Sequence, residues 1–155
     1  MLKLMKVIAK NRKALTDYRI IEKFKAGIVL IGQEVKSIKL GKINLNSSFV
    51  ILKGEEIFLA GANIPAYQPK NAPKDYDPQR SRKLLLKKLE IKRLIGKSKQ
   101  RGLTMVPLMV YTEKGIIKIK FALAQGKRKI DKREQIKKRE TEREIKRALK
   151  GGDRI

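Results

Sequence analysis

Arg80, Arg82, Lys83, Lys87, Lys88, Lys92 and Arg93 crowd into fourteen residues of a 155-residue chain. Groups of this kind hold phosphates, the guanidinium bidentately and the ammonium as a point charge. A second cluster, Lys97, Lys99 and Arg101, lies around Gly96 and Gly102, and a third is Lys127-Arg128-Lys129. A solvated helix face would carry the same residues. Charge on several separate segments nevertheless suits a protein wedged between RNA surfaces better than one docked in a single groove.

Residues for bond-making chemistry are scarce. The sequence has no His and no Cys, which removes the commonest general base, the commonest metal ligand and any thiolate. Glu55-Glu56 falls at a hairpin turn, where a solvated pair is the simpler reading. Asp75-x-Asp77 lacks the Gly and distal Glu of a calcium loop, and a turn with a helix cap accounts for it. The Gly-Lys steps at 41–42, 96–97 and 126–127 lack the remainder of a phosphate-binding loop. The expectation is a protein that is not an enzyme and uses no cofactor and no metal.

The aromatic residues, 5% of the chain, are too few for the stacking platforms of a general single-strand binder. Phe24, Phe49, Phe58 and Phe121 sit in strand patterns and are assigned to the core. Tyr67 and Tyr76, in a proline-rich stretch, are the candidates for exposed stacking. Shape and backbone recognition of folded RNA is therefore favoured over base-by-base stacking.

The elements that must position these residues follow from charge and periodicity. Forty basic and 15 acidic residues give a formal net charge of +25. That field captures polyanions, nucleic acid first and an anionic membrane surface second. No apolar run approaches the ~20 residues of a membrane span, and the opening MLKLMKVIAK is too broken by Lys for a signal peptide. The expected location is the cytoplasm, without membrane attachment. Residues 126–155 carry 13 basic and six acidic residues, while almost all large apolar residues precede Gly126. The expected organisation is a core-forming domain over 1–125 and a basic tail over 126–155.

Within 1–125, period-two alternation predicts strands at Tyr18–Phe24, Phe49–Leu52, Ile57–Ala60, Val106–Tyr111 and Ile116–Leu123, with a short apolar run at Ile28–Ile31. Lys53-Gly54 and Thr112-Glu113-Lys114-Gly115 mark hairpins. A short helix is predicted from Glu34 to Leu40, ended by Gly41. A longer one is predicted from Asp77-Pro78, an N-cap followed by a first-turn proline, through Leu84, Leu85, Leu89, Ile91, Leu94 and Ile95 to a stop at Gly96. The fold class is mainly β: a small closed OB-type barrel of about six antiparallel strands with two or three accessory helices. Size and strand number are met equally by an SH3-like barrel or an open α+β sheet.

In the tail, Asp131 and Glu134 have capping-box spacing, and the pairs Glu134/Lys138 and Glu142/Lys146 are four apart. Ile136, Ile145 and Leu149 are its only large aliphatic residues between Glu134 and Leu149. Pairs worth ~0.2–0.5 kcal/mol each do not offset ~1–2 kcal/mol per residue of backbone ordering. The tail is expected to be disordered when free and helical when bound.

NRKA at 11–14, AGIVLIGQEVKSIKLGKINL at 26–45, RSRKLLLKKLEI at 80–91 and GKRKIDKRE at 126–134 occur together in the order found in the SsrA-binding protein family, also called small protein B. The chain resembles that family from about Asn11 to Arg133. The resemblance implies an OB-type barrel that binds the tRNA-like domain of transfer-messenger RNA, acts as a monomer and serves trans-translation on stalled ribosomes. A ribosomal or ribosome-assembly RNA-binding protein is the alternative. By position Asn11 and Leu85 match family residues important for RNA binding, Leu85 fitting core packing equally well; RNA binding is also expected at the basic residues Lys13, Lys36, Arg80, Arg82 and Lys83. The resemblance assigns Gly126, Asp131, Lys132 and Arg133 to a tail that enters the empty messenger channel and the small-subunit decoding centre, and the basic cluster Lys127, Arg128 and Lys129 is expected to bind the ribosome with them. Two positions depart from the family pattern. Lys25 stands where Glu is usual, and Ile130 where His or an aromatic is frequent, so a carboxylate role and ring stacking do not transfer.

Overall fold

A computed structural model describes residues 5–100, 102–127 and Arg143. Chain order is β1 (Met5–Lys10), α1 (Arg12–Asp17), β2 (Tyr18–Ile28), α2 (Gly32–Lys39), β3 (Phe49–Lys53), β4 (Glu56–Ala60), β5 (Arg82–Leu85), α3 (Lys88–Ser98), β6 (Leu103–Glu113) and β7 (Ile116–Gly126). Among the described residues the protein is mainly β, with seven strands, all pairings antiparallel, and three helices. From β6 the pairings run through β3, β4, β5, β2 and β7 and return to β6; β1 pairs with residues 109–113 of β6, beyond the Val50–Met105 pair of β3.

Both expected hairpins are present. Lys114 and Gly115 join β6 to β7 with φ of 52° and 78°, the left-handed pair that matches strand twist in a two-residue turn. β3 and β4 turn at Gly54, φ +65°. The β7 pattern puts Ile117, Ile119, Phe121 and Leu123 into the main core, where Phe121 stacks on Phe24 with ring centroids 5.5 Å apart. Alternation fails at Ala122 and Ala124, which are buried too: with Ala14, Val106 and Leu108 they form a second, smaller cluster on the opposite face of the sheet. Small side chains there allow α1 to lie close to the strands.

α2 forms as expected, and Gly41 follows it at φ +82°, the left-handed conformation that ends helices. The long helix predicted from Asp77 does not form. Asp77 caps only a turn, its carboxylate accepting from the Gln79 N–H at 2.9 Å. Residues 82–85 are instead strand β5, paired with β4 and β2, with Arg82 and Leu84 buried and Lys83 and Leu85 exposed. The helix begins at Lys88 and continues through Gly96 to Ser98. Strand β2 extends to Ile28, leaving Val29–Ile31 outside it, and β1 and α1 lie in residues for which the pattern predicts no element. Phe49, assigned to the core, is 42% exposed, because it stands on the outward side of β3 while Val50 takes the core position.

Candidate nucleic-acid interface

The segment between β4 and β5 is pinned by one buried carboxylate. Glu34, in the first turn of α2, is fully buried. It accepts from the Ile31 N–H at 3.1 Å, from Arg82 Nε at 2.9 Å and Nη2 at 2.5 Å, and from the guanidinium of Arg80. The Tyr76 hydroxyl donates to the Ile64 carbonyl at 2.7 Å and reaches Glu34 at 3.2 Å. Arg82 completes its set on the carbonyls of Ala62 and Pro78. Burial alone would push the Glu34 carboxyl up. Hydrogen bonds from Arg80, Ile31 and Arg82, with the charge of Arg82, outweigh it and hold the carboxyl below its usual range. Burial, and then the charge of Glu34, push the Tyr76 hydroxyl above its usual value, so it remains a donor.

This cluster changes the reading of three predicted residues. Arg82 has no exposed surface and contacts no partner directly. Arg80 keeps about a third of its side chain exposed while bound to Glu34. Tyr76 is tied to the cluster by its hydroxyl, not offered as a free ring. Tyr67 is half-buried, and Lys36 lies over its ring at 5.6 Å, a cation–π arrangement.

What the cluster positions is the outward side of β5. With Arg82 drawn inward, strand alternation turns Lys83 and Leu85 to solvent. Leu85 is 53% exposed, so it is a surface residue, and the core-packing alternative falls. It pairs across Gly27, where an added Cβ would lie 3.5 Å from the Leu85 Cβ. On the same side of β2 and β7, Lys25 stands directly opposite Lys120 and Gly27 opposite Lys118. Lys25, Leu85, Leu86, Lys87 and Lys118 border one shallow groove. Like charges directly opposed on a sheet repel, and a polyanion laid over them removes that cost. The ion pairs available are weak: Lys83 lies 3.4 Å from Glu56 and Lys118 3.7 Å from Glu113, on largely open surface.

Asn11 and Lys13 lie elsewhere, at α1. Asn11 is buried: its amide donates to the Pro107 carbonyl at 3.0 Å and its oxygen accepts from the Ala14 N–H at 3.2 Å. It therefore fixes the start of α1 against β6 and holds exposed Lys13 in place. Gly126 ends β7, and the Lys127 N–H donates to the Asp17 carbonyl at 2.9 Å. Arg128, Lys129, Asp131, Lys132 and Arg133 lie outside the described residues, as does the expected tail helix. Glu34, which positions this segment, is not singled out by the sequence pattern; its one signal is a position three residues after Ile31, at the head of an amphipathic helix.

Comparison with known proteins follows the same residues. The family model described as SmpB protein matches residues 8–151. An SsrA-binding protein of Halothermothrix orenii is 49% identical over 146 residues, covering 94% of each chain. One of Thermosipho melanesiensis is 49% identical over 148 residues, 95% of this chain and all of its own. A solved structure described as "tmRNA-SmpB: a journey to the center of the bacterial ribosome" has 43% identity and a TM-score of 0.65, covering 83% of this chain and 93% of that one.

Proposed function

Because the chain belongs to the SmpB family, we propose that it binds the tRNA-like domain of transfer-messenger RNA and brings it to stalled ribosomes as a non-catalytic cytoplasmic rescue factor. The observation that carries this reading is the outward face of β5, β2 and β7, where Lys83, Leu85, Lys25, Lys118 and Lys120 form one basic surface around an exposed leucine. The return of the strand pairings to β6 supports an OB-type closed barrel as the reading domain. The tail, from Gly126 onward, is assigned to the ribosome: Lys132 and Arg133 meet ribosomal RNA phosphates in the decoding centre and Asp131 caps a helix formed there. Among the described residues no helix is long and apolar enough to cross a membrane.

The test is binding of the full chain to transfer-messenger RNA, with an elongator tRNA as competitor, across a salt series. Selective binding is expected. Equal affinity for both RNAs would mean that the +25 charge acts as bulk electrostatics, and a generic ribosomal protein would be the better description. The surface has its own prediction. Changing Lys25, Lys83 and Lys118 to Ala should weaken binding and lower the slope of log K against log salt by about 0.7–0.9 for each phosphate no longer neutralised. An unchanged slope removes this face from the interface.

A further inference from the structure

A second feature lies away from the β5 face. A cleft of about 190 Å³ opens between α1 and the start of β3, bordered by Lys13, Asp17, Tyr18, Ser47 and Phe49, with buried Asn11 at its edge. It is smaller than the ~300–1,000 Å³ that takes a drug-sized ligand and suits one ring system. We infer that this cleft seats a single unstacked nucleobase of the bound RNA, with Phe49 as its stacking face and Lys13 on an adjoining phosphate.

Three observations carry this inference, which rests on the RNA-binding reading above. Phe49 is 42% exposed, a large apolar ring left in water at a concave site rather than in the core its strand encloses. Stacking a base on such a ring is worth ~1–3 kcal/mol and tolerates any base. The contents of the cleft also favour a base over a phosphate. Asp17 borders it, and a carboxylate there repels a phosphate. Exposed Lys13 supplies the cation that the adjoining backbone needs.

The walls, finally, are built rigidly. Ser47 holds φ of 62°, a conformation that costs an ordinary residue energy and persists where its surroundings impose it. Its carbonyl lies where a Cβ on Gly61 would come within 3.0 Å, and Gly61 itself has φ +79°. The following Ser48 is buried and ties both its N–H and its hydroxyl to the Leu45 carbonyl. Opposite, Asn11 locks α1 to β6. A preformed seat avoids the ordering cost of binding.

The chain contains no Trp, so Phe49→Trp in the full-length protein introduces a single tryptophan at the seat, excited selectively at wavelengths where tyrosine does not absorb. Its emission is expected to be quenched on saturation with transfer-messenger RNA and unchanged by inorganic polyphosphate. Phe49→Ala is expected to weaken RNA affinity about tenfold with the salt slope unchanged, the equivalent of ~1.4 kcal/mol within the stacking range. Lys13→Ala should lower the slope instead. Three results would each overturn the seat while leaving the RNA-binding reading intact. They are selective RNA binding by the Phe49→Trp protein without quenching, quenching by polyphosphate as well, and wild-type affinity in Phe49→Ala. Absence of selective binding by the wild-type protein would overturn that reading, and the seat with it.

Discussion

Replacing Asp131, Lys132 and Arg133 together by Ala should leave affinity for transfer-messenger RNA unchanged and abolish tagging on stalled ribosomes. The substitution removes two cations and one anion, so net charge falls only from +25 to +24, and long-range attraction to RNA is almost unaltered. The groups proposed to read that RNA, Lys25, Lys83, Leu85 and Lys118, lie on strands of the core domain and are untouched. What disappears, on the proposed reading, is local: an Asp131 side chain at capping-box spacing from Glu134, and the two cations proposed to meet phosphates of the decoding centre. On that reading a segment with so few aliphatic residues is proposed to gain helical order from the surface it meets. Without the cap, worth ~1 kcal/mol, and without both cations, the tail should fail to settle there. The readouts are binding of transfer-messenger RNA by filter retention and tagging in a reconstituted translation reaction with a truncated message. Loss of RNA affinity in the first assay would show that domain and tail do not divide the work in this way. Amide exchange on the free full chain supplies a companion measurement: strong protection across 131–149 in a monomer would contradict a helix that forms only on binding.

Periodicity and turn chemistry made much of the core domain legible in the sequence. The β6–β7 hairpin followed from Lys114-Gly115 and the alternation of Ile117, Ile119, Phe121 and Leu123, because one buried face and one turn fix a register. The helix expected over 34–40 and ended by Gly41 is present as Gly32–Lys39. The failure at 77–95 has a definite physical cause. Asp77-Pro78 is helix-start chemistry, and Asp77 does make a cap-like bond, but to a turn. Leu84-Leu85-Leu86 is a short apolar run that fits helix or strand alike. The choice was made by Glu34, 48 residues before Arg82, which draws that arginine inward and thereby sets the alternation of the whole strand. An ion pair of such separation leaves no local signature, and an arginine among lysines reads as surface charge. The same blindness applied to Phe49. Its strand was recognised, but which of two adjacent apolar residues, Phe49 or Val50, faces inward depends on the pairing of Val50 with Met105. Asn11, in contrast, was identified by its place in the NRKA motif, and the structure gives that place a mechanical content: an amide that bolts α1 to β6.

The largest effect on folding is expected at the buried pair. Glu34→Ala should cost about 3–5 kcal/mol, because it leaves Arg82 charged and buried with no counter-charge, and Arg82→Ala should cost somewhat less, because the buried Glu34 keeps only the partly exposed Arg80. Arg80→Ala, at a side chain one-third exposed, should cost about 1 kcal/mol or less. Urea titration at neutral pH measures all three. The pair also gives stability a pH dependence of known sign. The Glu34 carboxyl is held below 4.5 in the folded protein, so the folded state binds this proton less readily than the unfolded chain. Its contribution is complete above about pH 4.5 and is lost as pH falls through the lower folded value. Glu34→Gln, which keeps the shape and one acceptor but cannot ionise, should therefore be least stable relative to wild type above about pH 4.5, and the gap should close on acidification. A gap that stays constant from neutral pH down through the acid transition would show that shape, not charge, holds the cluster. Binding supplies the functional counterpart. Because Arg82 sets the alternation that turns Lys83 and Leu85 outward, Glu34→Gln at a temperature where it remains folded should weaken RNA binding without any change in a residue on the RNA-facing surface. The salt slope should fall with it, since Lys83 is no longer held to its phosphate. Wild-type affinity and slope in the folded variant would mean that pairing with β4 and β2 alone is enough to aim β5.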